Sequence, residues 1–102
     1  MEYADELLAI ECVTMLFWNY TDEDIRTLKS ESRDFAYVWD NYIADKSGEE
    51  SFNALWDCWM VKFSIETKLG LIRYAVEKYG NEKRDALEHG YAMSRFMKNS
   101  RT

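Results

Sequence analysis

The chain has 102 residues, 47% hydrophobic and 16% aromatic, with a net charge of −6 and no proline. That composition excludes a disordered chain and is enough for one core of ordinary size without metals or disulfides. Four glycines and no proline are too few turn formers for an all-β protein, so a single all-α domain over residues 1–102 is expected.

Four helices are predicted, as a four-helix bundle, at about 3–20, 22–46, 50–79 and 82–98. The first, from Tyr3 to Tyr20, is apolar nearly all round (Leu7, Leu8, Ile10, Val13, Met15, Leu16, Phe17, Trp18), the mark of a buried helix. Its second half, residues 10–20, is also rich in strand formers, so the sequence leaves helix and strand open there. Thr21 then offers a capping hydroxyl, and Asp22, Glu23 and Asp24 sit at the positive end of the next helix dipole. In that second helix Ile25, Leu28, Ser32, Phe35, Ala36, Trp39, Tyr42 and Ile43 recur at three- and four-residue steps and define a core face. Gly48 suits the left-handed turn that closes it.

The third helix, closed by Gly80, carries two apolar stripes on opposite sides. Cys58, Val61, Ile65, Leu69, Ile72, Val76 and Tyr79 form the long core stripe; Phe52, Leu55, Trp56, Trp59 and Phe63 form an aromatic one. As one rod this helix would span about 45 Å, longer than a compact domain of this size. It is therefore expected to bend, near Gly70, or to protrude toward a partner chain. The aromatic stripe reads either as core or as an oligomer interface, where tryptophan is enriched. Asn81 caps the fourth helix.

Little in the chain points to chemistry. His89 is the one histidine, and Cys12 and Cys58 are the two cysteines; these lie on three separate helices without the paired spacing of a metal site. No glycine-rich phosphate loop or nucleophile elbow occurs. No metal, no cofactor and no enzymatic activity are expected. Apolar runs such as Met15 to Trp18 are far shorter than the roughly 20 residues of a membrane span, and the acidic start (Glu2, Asp5, Glu6) is unlike an export signal. A cytoplasmic, non-membrane protein is expected, with both cysteines as thiols.

Charge and exposed pattern point to binding. Residues 1–61 carry 14 acids and 4 bases, whereas residues 62–102 carry 5 acids and 9 bases. The two halves neutralise each other in part, or the negative half faces a basic partner; direct nucleic-acid binding is disfavoured by the overall sign. Opposite the core face of the second helix lie Glu23, Arg33, Asp34, Tyr37 and Asn41, a candidate partner-binding face centred on Tyr37. The basic tail from Arg95 to Thr102 has no recognition motif and reads as a solvated terminus. The functional expectation is a small acidic inhibitor or regulator that occupies a larger protein's surface. By analogy of size, charge and helical class alone, immunity proteins and the nucleic-acid-mimicking anti-defence proteins of phages and plasmids work this way. Two alternatives remain open: a helical oligomer that binds a nucleotide-like ligand, and an architectural homo-oligomer such as a homodimer.

Overall fold

The computed structural model describes the backbone of residues 3–100 and the side chains of residues 6–83. The protein is all-α: α1 (Tyr3–Asn19), α2 (Asp22–Glu31), α3 (Arg33–Val38), a wide helical turn (Trp39–Ile43), α4 (Gly48–Val61) and α5 (Ile65–Ser100). The strand-rich half of α1 is helical to Asn19. Leu8, Cys12, Val13, Leu16 and Phe17 are buried along one side of it, whereas Ile10 and Trp18, expected to be buried with them, are 58% and 57% exposed; burial of that one side outweighs the weak local preference for strand.

At Thr21 the expected cap is present in full. Its hydroxyl accepts from the Asp24 amide at 3.1 Å, and the Asp24 carboxylate accepts from the Thr21 amide at 2.9 Å, a reciprocal capping box.

Three expected boundaries are corrected. The helix at 22–46 is interrupted at Ser32, whose backbone is extended (φ −141°, ψ 116°) and whose hydroxyl accepts from the Phe35 amide at 3.0 Å. Ser32 thus closes α2 and caps α3. The second half ends in a wide turn in which the Ala44 amide reaches back five residues to the Trp39 carbonyl at 2.8 Å. Trp39 and Ile43, the first and last residues of this turn, are both buried.

The helix expected at 50–79 is two helices. The Lys62 and Phe63 amides both donate to the Cys58 carbonyl at 2.8 Å, which closes α4, and the Ser64 hydroxyl accepts from the Thr67 amide at 3.2 Å, which caps α5. The corner puts the two halves out of phase. Phe63 turns inward and stacks on Phe35 at 5.6 Å, while Val61 and Ile65 of the expected core stripe are 77% and 75% exposed. Gly48, with φ 58°, is the one described residue in the left-handed region, where a side chain would be strained.

The third correction removes the break at Gly80–Asn81. One helix runs from Ile65 to Ser100, through Gly70, Gly80 and Gly90. None of these glycines has a positive φ, so each costs about 1 kcal/mol of helix propensity without ending the helix. The 36 residues of α5 have a length of about 54 Å, nearly the molecule's 56 Å long axis. The overhang anticipated for the third helix belongs to α5, and it explains a radius of gyration of 16.2 Å against about 13 Å for a compact chain of this length.

α1 lies antiparallel along α5. Leu16 and Leu71 line one residual void of about 10 Å³ with Phe17, Tyr20, Ile25, Leu28, Phe35 and Leu55, and Glu11, earlier in α1, lies 4.0 Å from Lys83, later in α5. The buried residues of α5 include Thr67, Leu71 and Ala75; of the stripe that periodicity selected, Ile72, Val76 and Tyr79 are partly buried against the core beside them, whereas Ile65 and Leu69 are exposed. Leu71→Ala is expected to cost about 3 kcal/mol in urea unfolding, and Val61→Ala to stay within about 0.5 kcal/mol. Equal costs would show that the phase of α5 is misassigned.

Candidate binding surface

The aromatic residues of α4 meet α1. Trp56 and Trp59 approach Phe17 edge-on at 4.7 and 6.0 Å, and Phe52 approaches Trp18 at 4.4 Å. Phe52, Trp56 and Trp59 are half-buried, whereas Phe63 is buried. Lys68 lies 6.0 Å from the ring centre of Trp59, within cation–π range.

Asp24 is the most heavily bonded polar side chain. It is 2% exposed, caps α2, and accepts from Lys78 through both oxygens at 2.7 Å and from the Tyr74 hydroxyl. Burial alone would raise its pKa; the bonds from Lys78, Tyr74 and the Thr21 amide outweigh burial and hold it below its ordinary 3.8. The same bond to Asp24, with burial, pushes Tyr74 from 10.0 up to about 12, and the Asp24 bond raises Lys78. The cluster ties α2 to α5.

A second polar junction sits at the breaks. Thr67 Oγ1 is 3.0 Å from both the Ser32 and Ser64 hydroxyls, and the Ser64 amide donates to Asp34 at 2.9 Å. That amide holds the Asp34 carboxyl below its ordinary range. Above this junction lies a groove of about 410 Å³ between the α2–α3 break and the start of α5. Its banks carry Glu31 and Arg33 on one side and Glu66 and Arg73 on the other, and its floor includes Phe35 and Gly70. No tryptophan lines it.

The five residues of the expected partner face are thereby divided. Glu23 borders a shallow depression with Asp24, Tyr74, Glu77 and Lys78. Arg33 and Asp34 belong to the groove, and Asp34 is engaged by Ser64. Tyr37 and Asn41 remain together and exposed, with Asn41 Nδ2 donating to the Tyr37 carbonyl at 2.7 Å. The interruption at Ser32 separates Glu23 from the rest.

The helical period of residues 50–79 concealed another surface. Met60, Val61, Ile65 and Leu69, three of them assigned to the core by that period, are each more than half exposed around the α4–α5 corner. Lys62 lies 4.6 Å from the Tyr42 ring centre, which joins the corner to the Tyr37–Asn41–Tyr42 turn. The missed signal is Ser64-Ile65-Glu66-Thr67, a serine cap at the mouth of a helix.

Among the described residues no group of His, Cys, Asp and Glu is arranged to hold a metal, and no helix is long and apolar enough to cross a membrane. Cys12 and Cys58 are both buried, and burial pushes the Cys58 thiol above its ordinary value, away from nucleophilic reactivity. The side chains of Asp85, His89 and the basic tail lie outside the described residues. Comparison of the chain with protein-family models, curated proteins and solved structures finds no match.

The Asp24 cluster predicts the pH dependence of stability. Because the folded state depresses the Asp24 pKa, its contribution is present above the ordinary carboxylate range and is lost as pH falls through the folded value. Tyr74 and Lys78 have raised values, so their contributions are full below about pH 10 and decline above it, for Tyr74 between 10.0 and about 12. Urea midpoints measured against pH are expected to show a neutral plateau with a fall on either side. Asp24→Asn is expected to lower the plateau by about 2–3 kcal/mol and flatten the acid limb. An unchanged acid limb would exclude Asp24 as its source.

Proposed function

We propose that this chain is a small non-enzymatic binding protein that acts by covering a surface of a larger protein, as an inhibitor or regulator does. One observation carries the reading: large apolar and aromatic side chains (Tyr37, Tyr42, Met60, Val61) stand exposed on adjoining elements. Monomeric proteins rarely leave such side chains grouped in water unless the patch meets a partner. Tyrosine among charges is a frequent anchor of such contacts.

Charge supports a basic partner. Asp45, Glu49 and Glu50 are exposed between the Tyr42 turn and the first turn of α4, and the first 61 residues hold 14 acids against 4 bases. An acidic rim of this kind speeds encounter and makes affinity fall with salt. The Asp24 and Thr67 junctions are satisfied internally, and among the described residues no buried side-chain polar atom lacks a partner. That favours a recognition protein over a catalyst, whose working groups are left poised and incompletely paired.

The test is affinity capture from the native host, identification of the bound protein, and calorimetry with the purified pair. Tyr37→Ala is expected to change folding stability by less than about 0.5 kcal/mol and to weaken binding about 30-fold. Wild-type affinity in that variant would overturn the assignment of this face. A thermal shift with a nucleotide-like metabolite alone, lost in Arg33→Ala or Arg73→Ala, would favour the groove and the small-ligand alternative instead.

A further inference from the structure

The outer face of α5 lies apart from the Tyr37 surface and has a symmetry of its own. Glu66, Leu69, Gly70, Arg73 and Glu77 follow one another on this side, beside Ile65. Ile65 is 75% and Leu69 54% exposed, and Glu66 and Arg73 are exposed with no ion pair among the described residues. These two charges stand seven residues apart, about 10 Å along the axis, too far to meet within their own helix. Reflected about the midpoint of Leu69 and Gly70, Glu66 falls on Arg73, on nearly the same line along the helix. At Gly70 a Cβ would find no atom within 4 Å, so the space above the glycine is open.

We propose that this face binds a second copy of the chain, with the two α5 helices crossing antiparallel about a twofold axis at Leu69–Gly70. Glu66 of each copy pairs with the second copy's Arg73; on one flank of that seam Leu69 meets the second copy's Leu69, and on the other the two Gly70 backbones, which carry no side chain, approach each other. A twofold interface requires a surface complementary to itself, and an acid and a base set symmetrically about a small residue meet that requirement in one antiparallel register. A parallel pairing would oppose Glu66 to Glu66 and Arg73 to Arg73. The glycine permits the close approach that makes two short ion pairs attainable. The same contact covers Ile65 and one bank of the groove.

The experiment is a charge swap followed by analytical ultracentrifugation of the full chain at low salt. The wild type is expected to dimerise at a protein concentration below about 1 mM. Glu66→Arg alone and Arg73→Glu alone each place like charges in opposition and are expected to sediment as monomers with unchanged circular dichroism, since both side chains are exposed. Mixing these two single variants is expected to restore a dimer, because each then supplies the charge the other lacks; the double variant is expected to dimerise by itself. Gly70→Leu, which fills the space above the glycine without a clash in the monomer, is expected to stay folded and monomeric. A wild type that remains monomeric at about 1 mM, or single variants that dimerise like the wild type, would overturn the proposal. Dimerisation lost in Trp59→Ala, with the α5 variants unaffected, would place the contact on α4 instead.

Discussion

The architecture rests on the junction at Thr67. Its hydroxyl meets those of Ser32 and Ser64 at 3.0 Å, and each serine caps a helix that begins beside it. Two stretches that periodicity would extend as straight rods are thereby broken at one place in space. The first break directs Phe35 inward, the second directs Phe63 inward, and the two rings stack. Asp34 adds a bond from α3 to the Ser64 amide, so the corner is held from both sides. Buried polar groups are costly unless paired, and here their pairing sets the direction of every neighbouring element.

Asp24 repeats this logic further along α5. The carboxylate that completes the capping box of α2 is the same one that receives Tyr74 and Lys78, so local helix initiation and long-range docking depend on a single side chain. With Ser32 bonded to Thr67, α2 is tied to α5 at both of its ends. α1 covers another side of α5 through Leu16 and Phe17. What is left of α5 is its outer face, where apolar and charged side chains alternate in a self-complementary order.

This leaves a molecule with two kinds of surface. One end joins exposed tyrosines and aliphatic side chains beneath an acidic rim; the side of α5 carries paired opposite charges about a small residue. Both combine exposed apolar side chains with charged neighbours, the mixture on which the proposed contacts rest. The groove between them is bordered by three acids (Glu31, Asp34 and Glu66) and two arginines. Its hydroxyl floor is consumed by the helix caps.

The sequence by itself determined that the chain is helical, because turn formers are scarce and apolar residues recur at helical intervals, and it located the Thr21 cap and the Gly48 turn, which depend on neighbours only a few residues away. It also marked Tyr37 as an aromatic residue on a polar face. Each of Ser32 and Ser64 caps a helix through the amide three residues on, a local signal that any serine within a periodic run can offer; tertiary structure decided that these two are used, by bringing both hydroxyls to Thr67. It decided too that Gly80 would not stop one. Phase followed from those decisions: a three-residue corner rotates everything beyond it, so Ile65 and Leu69 fit a core stripe on paper and stand in water in the folded chain, and Val61, at the last turn before the corner, is exposed with them. Periodicity reports which residues share a face while a helix continues, and only packing settles where it ends.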